Sequence, residues 1–191
     1  MVDEAHSLGI IGECGKGVGD YFKVDRKDVD LWMGTLSKSL VSCGGYISGS
    51  HELVELLKYT SDGFIFSAGI TPQNTAAALE ALNMLEEDPS IVKKILDNSA
   101  YFLKIMKEAS INTGLSEGTA IVPCIVGDSQ KCMAMSNLLY TRGINVMPIL
   151  YPAVPEEEAR LRFFISACHT KEQIDYTVEQ IVEVKKIVFG Q

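Results

Sequence analysis

The chain is predicted to be an α/β protein on three observations. Short apolar runs bounded by turn residues alternate with longer stretches of helical period. Glycine and proline mark most of the joins. With 47% hydrophobic and 22% charged residues among 191, the chain has the composition of a folded domain and not of a disordered tail.

The elements follow in order. "DLWMGT" (30–35) and "GYISG" (45–49) read as strands, and "FIFS" (64–67) as a third, short and aromatic. "TPQNTAAALEALNMLEED" then reads as a helix with Thr71 as cap and Pro72 in the first turn. From Pro89 a second helix carries Ile91, Ile95, Leu96, Phe102, Leu103 and Met106 at near-helical spacing and ends in a turn at 112–114. The remainder alternates: strand 119–128, helix 129–143 closed by Gly143, strand 144–150, a Pro-rich loop, strand 160–167, and a helix from Thr170. A boundary is expected near 87–90, giving domains 1–88 and 89–191, with the second helix as the connection.

Charge and cysteine content narrow the function classes. The formal net charge of -8 argues against a large nucleic-acid or anionic-membrane surface, which needs clustered Lys and Arg. Five cysteines, Cys14, Cys43, Cys124, Cys132 and Cys168, lack zinc-ligand spacing. They are expected to be small buried hydrophobes in a reducing, cytoplasmic setting. No apolar run approaches the roughly 20 residues of a membrane span.

The first residues pose a choice. Asp3-Glu4-Ala5-His6 matches the acidic box of ATP-driven helicases. It also matches the strand end that presents an Asp and a His to pyridoxal phosphate (PLP). A helicase needs a GxxxxGK phosphate loop followed by Ser or Thr. In "GIIGECGKGVGD" the position five before Gly15 is Ile10, Lys16 is followed by Gly17, and no clear helix start follows. The segment reads as an irregular glycine-rich turn, and the helicase reading fails.

The PLP reading gains from "MGTLSKSLVSCGGYISGS". Lys38 lies just past an apolar strand, among Thr35, Ser37 and Ser39, and before Gly44 and Gly45. Nearby hydroxyls suit a phosphate, and glycines allow a cofactor to approach the backbone. A lysine that must react as a neutral amine needs such a semi-enclosed place. The carboxylate of Asp3 suits a ring nitrogen that must stay protonated.

"VDEAHSLGIIGECGKGVGDYF", "DVDLWMGTLSKSLVSCGGYISGS", "GFIFSAGITPQNTAAALEAL" and "ARLRFFISACHTKEQI", in this order, resemble the α-oxoamine synthase family of fold-type I PLP enzymes. The resemblance covers most of the chain. It implies an α/β fold made of the C-terminal half of the large PLP-binding domain (1–88), followed by a linking helix and a small α+β C-terminal domain (89–191). It implies a PLP-dependent acyltransferase that condenses a small amino acid with an acyl thioester, on CoA or a carrier protein, usually with decarboxylation to an α-amino ketone.

Residue by residue, the resemblance assigns Asp3 to the pyridinium nitrogen and His6 to the ring hydroxyl oxygen. Lys38 becomes the Schiff-base lysine and the proton shuttle at the substrate α-carbon. Thr35 holds the phosphate, and Ser67 reaches the partner's phosphate across a homodimer interface. Where many relatives carry two adjacent hydroxyls, this chain has Ser67-Ala68, which thins that contact. Arg162 is assigned to the amino-acid carboxylate, with Arg160 as its rival. Glu4 is expected to meet a structural partner, His169 to order a helix start, and His51 to lie on the surface.

Only Val2 stands before Asp3 on its strand, so a longer polypeptide is expected, and the resemblance implies that its upstream half supplies a ring-stacking aromatic and a phosphate loop. This chain alone is then expected to be inactive. Two alternatives stay open: a class I/II aminotransferase, which shares the fold, and a non-catalytic dimerisation partner, against which the presence of Lys38 counts.

Overall fold

The computed structural model describes residues 1–190 and confirms an α/β chain of six strands and seven helices among the described residues. It divides into two compact units, Met1–Lys93 and the residues from Lys94 on. The division falls inside a helix, α5 (Ser90–Glu108), and not in the loop before it.

In the first unit, β1 (Val2–Asp3), β2 (Leu31–Thr35) and β3 (Gly45–Gly49) form a sheet in the order β1-β2-β3. β1 runs parallel to β2, with Asp3 opposite Met33, and β3 runs antiparallel. β2 alternates in burial, with Trp32 and Gly34 inward, as a pleated strand requires. Trp32 covers Gly19, where a Cβ would lie 2.6 Å from the indole, so only glycine fits. Four helices accompany the sheet: α1 (Val18–Tyr21), α2 (His51–Thr60), α3 (Asp62–Ile65) and α4 (Pro72–Glu87). Thr71 caps α4 by accepting from Asn74 N, with Pro72 in the first turn. The buried cluster of this unit is small, Leu36, Leu40 and Ala78, with Leu8, Ala81 and Leu82 against it.

Three expectations fail here. "FIFS" is no strand: Ile65 N and Phe66 N donate to Ser61 O and Asp62 O, both at 3.0 Å, and close the turn of α3. A four-residue apolar run carries too little period to separate strand from helix. A helix, α1, does start after the glycines, at Val18, with Gly17 at φ 99 as its cap. The helix α2 was not anticipated, although Ser50 accepts from Leu53 N at its start and Leu53, Val54 and Leu57 share one face.

In the second unit, β4 (Ile121–Ile125), β6 (Arg160–Phe164) and β5 (Met147–Ile149) pair antiparallel in the order β4-β6-β5. Together with α5, the helices α6 (Ser129–Thr141) and α7 (Lys171–Phe189) complete a closed core that includes Phe102, Met106, Val122, Met135, Leu139, Leu161 and Ile181. β5 is shorter than expected. Ile144 N donates to Leu139 O and Ser136 Oγ to Val146 O, so residues 144–146 are used to close the end of α6. Gly143 has φ 80 at that turn. Thr170 and Gln173 form a reciprocal capping box on α7.

The cysteines do not behave alike. Cys124 and Cys132 are buried, whereas Cys43 and Cys168 are exposed and Cys14 is half-buried. The expectation that all five would be core hydrophobes is therefore wrong for the exposed pair, which lie in a loop and a turn where no apolar layer covers them. Burial pushes the Cys124 thiol up to about 12 and Cys132 to about 11, since a thiolate there would lose its hydration. No helix among the described residues is long and apolar enough to cross a membrane.

Candidate active site

The parallel pair β1-β2 determines where the chemistry collects. Parallel strands end at the same edge of a sheet, and in open α/β sheets ligands bind outside that carboxyl edge. β1 ends at Asp3 and β2 ends at Thr35. Asp3 faces Met33 in register, and side chains two apart share a face, so Asp3, Met33 and Thr35 lie on one face of the sheet. His6 follows Asp3 in an exposed turn, and Lys38 follows Thr35 in an exposed loop. Four of the anticipated residues thus come to one edge.

Each is held locally. Asp3 Oδ1 accepts from Ala5 N at 2.7 Å. That bond folds the chain back after β1 and holds the carboxylate at the strand end. Glu4 points the other way and is buried; it accepts from Ser7 Oγ, Val18 N and Gly19 N. Its carboxylate satisfies the first amides of α1, so its role is structural, as anticipated. Thr35 Oγ1 lies 2.8 Å from Ser37 Oγ and donates to Gly44 O at 3.2 Å. The two hydroxyls form a small polar cluster beside Lys38.

The Lys38 loop is pinned from both sides. Leu36 and Leu40, two residues either way, are buried against Ala78 of α4. Ser39 Oγ donates to Leu8 O, and Ser42 Oγ to Asn74 O. Leu36 N donates to Gly44 O and Ser42 N to Leu36 O, which closes the loop at its base. Among the described residues no hydrogen bond or ion pair engages the Lys38 ammonium. Val41 N donates to Lys38 O, and Val41 has φ 45. A β-branched residue in the left-handed region is strained by roughly 1–3 kcal/mol, and strain of this kind gathers in loops that must hold a shape. Sequence reading missed Val41 and the two leucine anchors. The spacing of Leu36 and Leu40 about Lys38 was the available signal for the anchors; nothing in the sequence marked Val41.

Two anticipated residues lie elsewhere. Ser67 follows α3, is exposed, and donates to Phe64 O at 3.3 Å. Arg162 belongs to the second unit, on β6. Arg160, Arg162 and Phe164 alternate with the inward Leu161 and Phe163, so both arginines share the outer face. Their electrostatics differ. Arg160 is paired with Glu158, through its carboxylate and its backbone carbonyl. Arg162 lies over the Phe164 ring, 4.8 Å from its centroid, and its Nε is buried with no hydrogen-bond partner among the described residues. It lines a cavity of about 410 Å³ that also includes Asn145, His169, Gln173 and Thr177. His169 Nδ1 accepts from Ser166 N at 3.2 Å, which orders the turn before α7. His51 is exposed at the start of α2.

The donor set of the first unit fits PLP: an amine for its aldehyde, a carboxylate for its ring nitrogen and hydroxyls for its phosphate. Among the described residues no cluster of His, Cys, Asp or Glu is suited to a metal ion.

The chain is 42% identical over 186 residues to an 8-amino-7-oxononanoate synthase of Thermosipho melanesiensis, covering 97% of this chain and 47% of the relative. It is 39% identical over 186 residues to a serine palmitoyltransferase of Bacteroides ovatus, with the same coverage. A structure of a serine palmitoyltransferase with PLP superimposes with a TM-score of 0.90 at 26% identity, over 98% of this chain and 47% of that one. The chain therefore spans about half the length of the curated relatives it matches. The family model for aminotransferase class I and II matches residues 1–181, and the chain belongs to that family.

Proposed function

We propose that this chain is the part of a PLP-dependent acyltransferase of the α-oxoamine synthase type that carries the reactive lysine, residues 1–88 being part of the large domain and the rest the linking helix and small domain. The whole enzyme condenses a small amino acid with an acyl thioester, usually with loss of carbon dioxide, to give an α-amino ketone. The observation that carries the reading is the meeting of Asp3, His6, Thr35 and Lys38 at the carboxyl edge of one parallel strand pair, with Lys38 on a loop pinned by Leu36 and Leu40. The names of the relatives favour acyl transfer over amino-group transfer.

PLP, when bound, supplies an electron sink for the charge left at the substrate α-carbon. The residues of this chain do the rest. Asp3 keeps the ring nitrogen protonated, and His6 contacts the ring hydroxyl oxygen. Thr35 donates to the phosphate, and Ser67 reaches the phosphate of a partner subunit in a homodimer. The Lys38 Nζ takes the α-proton and returns it to the product. Arg162 binds the substrate carboxylate, for which a forked guanidinium is suited. It is favoured over Arg160 because Arg160 is already paired with Glu158 while Arg162 Nε has no partner. Holding the carboxylate also orients the bond that breaks, a positioning effect.

The test is to add PLP, reduce with borohydride, and map the modified lysine by mass spectrometry, on this chain and on a polypeptide of the full length of the relatives. Label confined to Lys38 is expected in the longer polypeptide. Label spread over surface lysines in both removes Lys38 from its role. Product analysis separates the aminotransferase alternative, because a keto acid formed without a new carbon–carbon bond sinks the synthase reading.

A further inference from the structure

Two segments leave the carboxyl edge of the β1-β2 pair. One is the turn that follows Asp3 and holds His6; the other is the loop that follows Thr35 and holds Lys38. The strand ladder fixes Asp3 against Met33, and Glu4 N donates to Met33 O at 2.7 Å. Past that point the strands no longer hold the two segments together. Each closes on itself: Ser7 N and Leu8 N donate to Glu4 O in the turn, and Leu36 N donates to Gly44 O in the loop. The place of Lys38 relative to His6 therefore depends on what joins turn to loop.

Ser39, the residue after Lys38, makes such a join. Its Oγ donates to Leu8 O at 2.5 Å, across 31 positions of sequence. Its side chain also rests on Gly9, where a Cβ would lie 2.5 Å from Ser39 Cβ and 2.7 Å from Ser39 Oγ. Gly9 has little room to retreat, because a Cβ on Gly15 behind it would lie 3.1 Å from Gly9 Cα. Gly9 N donates to Gly15 O, and its φ of 79 is left-handed. Close approach and backbone angle both require glycine there. The Leu8 side chain packs on Leu36, Leu40 and Ala78, so Leu8 meets the lysine loop through its carbonyl and its side chain together. Ser42 makes an equivalent bond from the same loop, to Asn74 O. That bond ties the loop to α4, which carries none of the residues assigned to the chemistry.

We propose that Ser39 is a positioning residue for Lys38: its bond to Leu8 O and its seat on Gly9 set the place of the lysine relative to Asp3 and His6. Ser42 fixes the same loop to the scaffold, and Ser39 fixes it to the other half of the site. This assignment rests on the role proposed for Lys38. A reacting group misplaced by about 1 Å can lose on the order of a hundredfold in rate, so one hydroxyl here weighs more in reactivity than in stability. Ser39 is exposed and Leu8 half-buried, so water can replace the lost hydroxyl at Leu8 O and the fold survives its removal.

The test compares Ser39→Ala with Ser42→Ala in a polypeptide that carries this chain at the full length of its relatives. Each variant removes one hydroxyl-to-carbonyl bond from the same loop. PLP is added, borohydride traps it, and the rate of labelling at Lys38 is followed by mass spectrometry. Ser39→Ala should slow labelling by about tenfold or more and Ser42→Ala by about twofold or less. Ser39→Thr keeps the hydroxyl and should restore the rate. Without PLP, amide exchange at Leu8 and Gly9 should quicken by about tenfold in Ser39→Ala and stay unchanged in Ser42→Ala. Equal slowing in the two alanine variants, no recovery with threonine, or unchanged exchange at Leu8 and Gly9 would each overturn the proposal and leave Lys38 its role. An unsubstituted polypeptide that takes no label at Lys38 removes that role, and the proposal with it.

Discussion

In the second unit Phe102, Met106, Met135, Leu139, Leu161 and Ile181 are 0–1% exposed, whereas the buried cluster of the first unit, Leu36, Leu40 and Ala78, reaches 5–9%. The helices differ in the same way. α7 buries Ile174, Val178, Ile181 and Val184, and α2 buries nothing. The unit that carries Asp3, His6, Thr35 and Lys38 is the one with the thin core, and its side chains are held mainly by local hydrogen bonds and the two leucine anchors. A packed core can be self-sufficient.

The comparison can be broken or sharpened by substitution. Leu161→Ala should destabilise the second unit by about 2–5 kcal/mol, since a fully buried leucine leaves a cavity; the midpoint of urea unfolding checks it. An equal loss from Leu79→Ala, on the exposed side of α4, would remove the contrast. Glu4→Ala should cost the first unit roughly 1–3 kcal/mol, because Val18 N and Gly19 N lose their acceptor in a buried place. Thermal unfolding followed by Trp32 fluorescence would show it.

Val41→Gly should act in the opposite direction. It relieves the left-handed strain at φ 45, and after the greater freedom of glycine in the unfolded chain is subtracted the gain is about 1 kcal/mol or less. If that strain shapes the lysine loop, labelling of Lys38 should fall while stability rises. No change in either would make Val41 incidental.

The cysteines give the mildest effect. At pH 8 a thiol reagent should modify Cys43 and Cys168 in the folded chain and leave Cys124 and Cys132 untouched, because burial holds the latter two well above the ordinary value of 9.0. Their folded-state values are raised, so the unfolded chain releases these protons first as pH rises. The stability they contribute is complete below about pH 9 and is lost as pH climbs toward about 11 and 12. A urea midpoint that does not fall across that window would contradict it.

Much of this protein was legible before any coordinates. Thr71, Pro72 and the alanine-rich run that follows specify α4 by local chemistry alone, and the Thr170–Gln173 box does the same for α7. The ordered motifs around Asp3 and Lys38 carried the resemblance that pointed to PLP chemistry. The aromatic run at 64–67 was misread and α2 was missed. For the aromatic run, four residues hold no decisive period. In α2, the apolar face finds no buried partner, so a reader looking for core positions passes over it.

By itself, then, the sequence determined the α/β class, the capped helices and the residue types of the site, because those follow from backbone chemistry and short-range periodicity. Only the tertiary structure decided that Arg160 is paired while Arg162 Nε is not, that Val41 is left-handed, and that Leu36 and Leu40 anchor the Lys38 loop against Ala78. Those facts depend on which groups distant segments bring together. Local sequence does not encode the partner a side chain will meet.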